Sequence, residues 1–161
     1  MAEQVSKEVT ITRVVKAPRE LVFKAWTDPE LLAQWWGPRG VTNPECEVDA
    51  RVGGTIHVVM LAGEELGSMA GQRWPMQGVF REIQKPEKIV FTNQAIDEQG
   101  NVLIDGLTTV IFEEEGEGST KLTMTTVAKG VSPQAPQMLD GMNQGWTESI
   151  EKLSEFLASP L

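Results

Sequence analysis

Hydrophobic and polar positions alternate in the first part of the chain. Residues 5–16 read VSKEVTITRVVK, a segment rich in β-branched side chains that predicts a strand. Successive side chains of a strand point to opposite faces. The residues that share one face are Val9, Ile11, Arg13 and Val15. The chain is therefore expected to begin with a strand that has one largely apolar face.

Two short helices are predicted directly after this strand. Pro18 suits the first turn of the first helix, because a backbone N–H has no intrahelical partner there. Asp28 is a preferred N-cap residue and Pro29 follows it, so a second helix begins here and runs through Trp35. The Gly-Pro pair at 37–38 ends this second helix.

Six further strands are predicted in the middle of the chain. They lie within residues 45–50, 55–62, 72–84, 89–93, 104–113 and 120–128. The gaps between them are too short for parallel crossovers, so neighbouring strands are expected to be antiparallel. Residues 63–73 form the glycine-rich gap, which has two interpretations: a plain hairpin connection or a mobile flap.

From residue 133 to residue 158 the hydrophobic period becomes helical. The positions that form one continuous apolar stripe are Leu139, Met142, Trp146, Ile150, Leu153 and Leu157. A run of strands followed by one long amphipathic helix indicates the α+β class. The expected architecture is a curved antiparallel sheet of about six or seven strands packed on the C-terminal helix.

Composition limits the classes of function. A length of 161 residues fits one domain spanning 1–161. The net charge of −9 argues against nucleic acid or an anionic membrane as a partner. A single cysteine allows no intramolecular disulfide, and the opening MAEQVSKEV lacks a signal-peptide pattern, so a cytoplasmic location is expected.

Few residues are suited to catalysis or metal binding. His57 is the only histidine and Cys46 the only cysteine, which excludes a zinc site built from several such ligands. We expect neither a metal nor a cofactor. Acidic neighbours should raise the pKa of Cys46 and weaken it as a nucleophile. His57 is a weak acid–base candidate, with Glu82 as a partner if their strands are adjacent.

Four segments carry a resemblance to a known family. They are AWTDPELLAQWWGP at 25–38, DARVGG at 49–54, GVFREIQKPEKIVFTN at 78–93 and the late Gly-Trp at 145–146. The chain resembles the SRPBCC superfamily, the helix-grip fold of START domains and the birch pollen allergen. Within it, the chain is similar to the C-terminal domain of the activator of the heat-shock chaperone ATPase. The resemblance implies a sheet that grips the long helix around a cavity for hydrophobic small molecules.

Trp35 and Trp36 are adjacent in the first of these segments, and adjacent side chains on a helix point about 100° apart. We expect Trp35 to pack into the core or the cavity rim, and Trp36 to cover a neighbouring strand or a partner, including a second copy of the chain. Apolar residues on the strands and the long helix are candidates for the cavity lining, although the same residues could close the cavity as a plain core. The predicted ligand-binding residues are Trp35, Met60, Trp74, Met76, Phe80, Phe91, Leu107, Met138, Met142 and Trp146.

Three functions remain open at this point. The first is binding of a hydrophobic small molecule, with sequestration or weak cyclase or isomerase activity. The second is a protein-interaction module of the co-chaperone kind that binds no ligand. The third is an enzyme that uses His57 as an acid or base.

Overall fold

The computed structural model describes residues 6–97, 99–116, 118–130 and 135–158, without the side chains of residues 135–138, 140 and 158. Its elements are β1 (Ser6–Val15), α1 (Arg19–Thr27), α2 (Pro29–Leu32), β2 (Val41–Val48), β3 (Thr55–Ala62), a 3-10 segment (Glu64–Met69), β4 (Arg73–Gln84), β5 (Lys88–Ile96), β6 (Val102–Glu114), β7 (Thr120–Gly130) and α3 (Ala135–Ala158).

The strands of the described residues form one sheet in the order β1-β7-β6-β5-β4-β3-β2, with every neighbouring pair antiparallel. The inner face of this sheet packs on α3, and α1 and α2 lie at one end of the helix–sheet interface. This is the α+β helix-grip architecture that the sequence predicts. Within the described residues, no helix is long and apolar enough to cross a lipid bilayer.

The alternation in β1 has the predicted faces. Val9, Ile11 and Val15 are buried in the core. Arg13 shares their face and reaches a carboxylate oxygen of Glu151 on α3 at 3.9 Å. The face predicted from period two is therefore the face that packs on the helix.

The apolar stripe of α3 also lies where its period places it. Leu139, Ile150 and Leu153 are buried, and Met142 and Trp146 are partly buried against the core. Because the strands and the helix supply continuous apolar faces, one hydrophobic core forms between the two layers.

Several element boundaries differ from the prediction by a few residues, and two of these differences have a local cause. α2 ends at Leu32 rather than at Trp35, because the N–H groups of Gln34 and Trp35 make bonds of the tighter i to i−3 kind, the latter to the carbonyl of Leu32 at 3.3 Å. β2 begins at Val41, four residues before the predicted 45. A register shift between Thr42 and Glu45 interrupts the alternation on which that prediction relied.

Candidate functional site

Both adjacent tryptophans are buried at the end of the interface that holds α1 and α2. Trp35 is 0% exposed, and its indole N–H donates to the carbonyl of Ala25 at 3.0 Å. Trp36 is 5% exposed, with its ring 5.3 Å from that of Trp146 on α3 and 6.4 Å from that of Phe91 on β5. Of the two alternatives expected for Trp36, covering a neighbouring strand fits this position and covering a partner does not, because its ring lies between the helix and the sheet.

These rings belong to what we call the aromatic cluster, which consists of Trp26, Trp35, Trp36, Phe91 and Trp146. Trp26 lies at its centre, 4.6 Å from the ring of Trp35 at an interplanar angle of 62° and 6.4 Å from the ring of Trp146 at 15°. Edge-to-face and offset-stacked pairs are the favoured aromatic geometries. The cluster therefore fastens α1, the turn after α2 and α3 to one another.

The turn that follows α2 depends on side chains from distant elements. Asn43 of β2 donates its amide to the carbonyls of Ala33 and Trp36 at 3.0 and 2.9 Å. Lys152 of α3 donates to the carbonyls of Gly37 and Pro38 at 3.2 and 3.3 Å. Carbonyls at a helix end need such partners. The Gly-Pro stop after the tryptophans is therefore an attachment point for α3.

Charged groups extend this attachment along α3. The backbone N–H of Arg39 donates to Glu148 at 2.9 Å, and its guanidinium reaches Glu151 at 3.4 Å and also pairs with Glu155. These contacts lower the pKa of Glu155, with the Arg39 hydrogen bond as the main cause. Burial lowers the pKa of Lys152, and the nearby charge of Arg39 lowers it further. Sequence analysis missed these residues, although acids at three-to-four-residue spacing on one helix face were visible.

The inner face is less completely covered nearer the start of α3, in a region that reaches the turn after α2 at Met60, whose sulfur would lie 2.6 Å from a Cβ at Gly37. We call this region the open end and define it by Met60, Trp74, Met76, Ala95 and Met142. Met60 pairs with Trp74 across β3 and β4, and Met76 pairs with Ala95 across β4 and β5. All but Met76 are partly exposed, although they lie on the face that is otherwise core.

A row of polar side chains lies on the inner face next to the open end. Asn93 of β5, Thr108 of β6 and Thr126 of β7 occupy neighbouring strands. Thr108 Oγ1 lies 2.6 Å from Asn93 Oδ1 and 2.9 Å from Thr126 Oγ1. Sequence analysis missed this row because the strand pairing that assembles it is not local.

The predicted ligand-binding residues other than Leu107 separate into four groups. Trp35, Phe80 and Phe91 are fully buried in the core. Trp146 is partly buried and belongs to the aromatic cluster. The members at the open end are Met60, Trp74, Met76 and Met142. Met138 lies outside the described side chains.

Leu107 is on the wrong face of the sheet for a lining residue. It is 44% exposed on the outer face of β6, where it pairs with Val127 of β7. The inner positions beside it are Gly106 and Thr108, which are less hydrophobic than Leu107. Hydrophobicity alone therefore assigned the leucine to the core when the alternation placed it outside.

The suggested pair of His57 and Glu82 does not exist. His57 faces outward on β3 and pairs with Glu47 and Gln77, whereas Glu82 accepts a bond from Lys88 at 3.1 Å. The register places the two residues at different heights of the sheet. His57 lies instead in an outer-face hollow of about 450 Å³ that includes the ion pair of Glu45 and Arg73.

The remaining catalytic candidate, Cys46, is a poor nucleophile. Burial raises its pKa to about 11, and the charges of Asp28 and Glu47 contribute to the rise. The acidic neighbourhood therefore acts as predicted, but as the smaller cause. Among the described residues, no three His, Cys, Asp or Glu side chains are arranged to hold a metal ion.

Comparison with known proteins gives a family and a set of similar structures. The family model described as "Activator of Hsp90 ATPase homolog 1-like protein" matches residues 16–158. A search of curated proteins finds no match. A crystal structure of a protein from Chromobacterium violaceum is 28% identical, with a TM-score of 0.75 over 95% of this chain and 98% of that one.

Two other solved structures are similar over comparable lengths. A solution structure of a protein from Arthrobacter aurescens is 26% identical, with a TM-score of 0.76 over 95% of this chain and 87% of that one. The AHSA1 protein from Silicibacter pomeroyi is 25% identical, with a TM-score of 0.72 over 94% and 98%. Because the family model spans most of the sequence, this chain belongs to the family of activator of Hsp90 ATPase homolog 1-like proteins.

Proposed function

We propose that this protein binds a hydrophobic small molecule at the open end, between the sheet and α3. The observation that carries the proposal is the partial exposure of Met60 and Trp74 on the inner face of the sheet and of Met142 on α3. Exposed apolar side chains that line a concave surface are typical of ligand sites. Because His57, the acid–base candidate, faces outward and away from this region, sequestration of the bound molecule is the activity that fits this arrangement.

The chemistry of the open end supports an adaptable apolar site. The flexible, polarizable side chains of methionine can adjust to irregular ligands. Trp74 contributes a large apolar surface, and its indole N–H already donates to Gln72 at 3.2 Å. The 3-10 segment that follows β3 is anchored by the N–H of Gly63, which donates to the carbonyl of Gly40 at 2.7 Å. We propose this segment as the flap at the mouth of the site.

A fluorescence titration with the neutral probe N-phenyl-1-naphthylamine tests the site. Trp74→Ala should weaken probe binding about tenfold, the effect expected when a large apolar contact is removed. Leu107→Ala is the matched control, because this residue lies on the outer face of the same sheet. Equal weakening by both variants, or none by Trp74→Ala, would overturn the proposal.

Native mass spectrometry of the purified protein identifies a natural ligand. A discrete added mass that is lost on denaturation would support the site, and extraction would give the class of molecule. The same measurement on Trp74→Ala should show a smaller bound fraction. An added mass that is retained equally by this variant would contradict binding at the open end.

A protein-interaction module is the second candidate, favoured by an apolar group on the outer face. Leu107 and Val127 are register partners that are 44% and 39% exposed, and Ile111 is exposed on the same face of β6. The family description names an activator of a chaperone ATPase, so that chaperone is the partner to test first. Capture that fails with Leu107→Glu but survives Trp74→Ala would support this candidate, and added salt would separate charge-led contacts.

A further inference from the structure

The polar row formed by Asn93, Thr108 and Thr126 has an unusual position for an apolar core. Thr108 and Thr126 are fully buried, and Asn93 is partly exposed beside the open end. Each buried polar group in a core costs free energy unless it is hydrogen-bonded. The threonines satisfy one another and the oxygen of Asn93, which leaves the amide nitrogen of Asn93 to be explained.

The hydrogen bonds of the row fix the orientation of this amide. The 2.6 Å separation of Thr108 Oγ1 and Asn93 Oδ1 is typical of O–H···O bonds and short for N–H···O bonds. Thr108 therefore donates a hydrogen bond to Asn93 Oδ1. Thr108 Oγ1 is also the donor in the 2.9 Å contact with Thr126 Oγ1, so this one hydroxyl lies within hydrogen-bond reach of both oxygens.

The amide nitrogen of Asn93 is consequently a directed donor. None of the hydrogen bonds found among the described residues uses its two N–H groups. Its atom Nδ2 lies over Gly106 of β6, 3.0 Å from where a Cβ at that glycine would be. On the other side, β4 presents Gly78, where a Cβ would come within 1.7 Å of the carbonyl oxygen of Thr92. Gly106 therefore leaves room for the amide, which a side chain at that position would crowd.

Among the described residues, the four strands around this donor carry no charged side chain on their inner faces at this end of the sheet. The described inner-face positions of β4 to β7 at this end are apolar, glycine or threonine, apart from Asn93 itself. An ionised ligand group would therefore be desolvated there without a compensating charge. A neutral acceptor oxygen can instead accept from the Asn93 amide at little desolvation cost.

Resting on the proposed function, we propose that the bound molecule is neutral and carries a hydrogen-bond acceptor, such as a ketone, ester or ether oxygen, which the Nδ2 atom of Asn93 binds. The open end holds the apolar part of the molecule, and Asn93 sets its orientation. The row of threonines positions Asn93 by holding its Oδ1 atom away from the ligand.

Two probes of matched shape test this assignment. 2-Acetylnaphthalene and 2-ethylnaphthalene differ in having a carbonyl or a methylene at one position. Each is titrated as a competitor of N-phenyl-1-naphthylamine on wild type and on Asn93→Leu. The ratio of the ketone affinity to the hydrocarbon affinity should fall about 3- to 10-fold in Asn93→Leu, the effect of one net hydrogen bond.

Comparing this ratio between proteins cancels the difference in water solubility of the two probes. Thr108→Val is a second variant, which frees the amide to rotate and should also lower the ratio, while leaving hydrocarbon binding in place. An unchanged ratio in both variants would overturn the role of Asn93 but leave the site intact. If neither probe displaces the fluorophore from the wild-type protein, the proposed function is overturned and this inference with it.

Discussion

The two ends of the helix–sheet interface are built on different principles. The end that holds α1 and α2 is filled by the aromatic cluster, in which Trp26 and Trp35 are completely buried. The open end carries Met60 and Trp74 on the same inner face, yet leaves them partly exposed. One core thus changes along its length from close aromatic packing to an accessible apolar surface with a polar row beneath it.

The contrast separates the part of the interface that holds α3 in place from the part where we propose that a ligand binds. Lys152 bonds to the turn after α2, and Arg39 pairs with glutamates along the second half of α3. The long helix is therefore fixed at its C-terminal half. Its N-terminal half borders the open end, where the proposed ligand would contact side chains that the core leaves partly exposed.

The largest expected effect is at the closed end. Trp35→Ala removes a fully buried ring and its hydrogen bond to Ala25, so the free energy of unfolding should fall by about 3–5 kcal/mol. Trp74→Ala, a tryptophan truncation at the open end, should cost about 1 kcal/mol. Urea unfolding of both variants measures the contrast. Similar losses from the two would show that the ends are equally important to stability.

The attachment of α3 should be the next most sensitive feature. Lys152→Met keeps the length of the side chain but leaves the carbonyls of Gly37 and Pro38 without their donor, and should cost about 1–3 kcal/mol. Lys16→Met, at an exposed position before α1, is the control and should change stability by about 0.5 kcal/mol or less. Thermal unfolding checks both. A neutral Lys152→Met would mean that the aromatic cluster alone holds the helix.

A smaller effect should depend on pH. Hydrogen bonds from the side chain of Gln144 and from the N–H of Arg39 lower the pKa of Glu148 below its ordinary value of 4.5. A carboxyl with a lowered pKa in the folded state stabilises the protein above its unfolded pKa, and this contribution is lost as the pH falls through the folded pKa. Glu148→Gln should therefore lower the Tm at pH 7 but not in acid.

Melting curves of wild type and Glu148→Gln across this pH range test the sign. Glu8→Gln, on the outer face of β1, provides the comparison for a carboxylate away from α3. A Tm difference that grew towards low pH would contradict the assigned direction of the pKa shift.

The smallest effect is expected at the outer face. His57→Ala removes a side chain that neither end of the core contacts, so stability should change by about 0.5 kcal/mol or less and affinity for N-phenyl-1-naphthylamine should stay the same. The titration that compares Trp74→Ala with Leu107→Ala also measures the affinity of His57→Ala, and urea unfolding measures its stability. If His57→Ala lost affinity for the probe, the binding site would lie on the outer face of the sheet rather than at the open end.

The sequence predicted local features better than the contacts between elements. Period two in β1 correctly placed Val9, Ile11 and Val15 on one apolar face, because alternation is a property of the strand itself. Leu107 was assigned to the wrong face when its hydrophobicity was preferred to the alternation. The pair of His57 and Glu82 was wrong for a different reason, since the register between strands is set by pairing and turns.

The tryptophan pair shows both what the sequence could predict and what it could not. The sequence indicated that Trp35 and Trp36 diverge and that the helix stops soon afterwards. Only the tertiary structure decided that Trp36 lies against Trp146, which is 110 positions later in the chain. The turn itself is completed by Lys152, another side chain that no local pattern connects with it.

By itself, the sequence determined the order of strands and helices, the core-facing side of most of them and the absence of a histidine- or cysteine-rich metal site. These follow from short-range periodicity and residue chemistry. The tertiary structure decided which end of the interface is filled, which stays open and how Asn93, Thr108 and Thr126 come into one row. Those outcomes depend on strand pairing and helix docking, in which residues far apart in the chain are brought together by the packing of the whole fold.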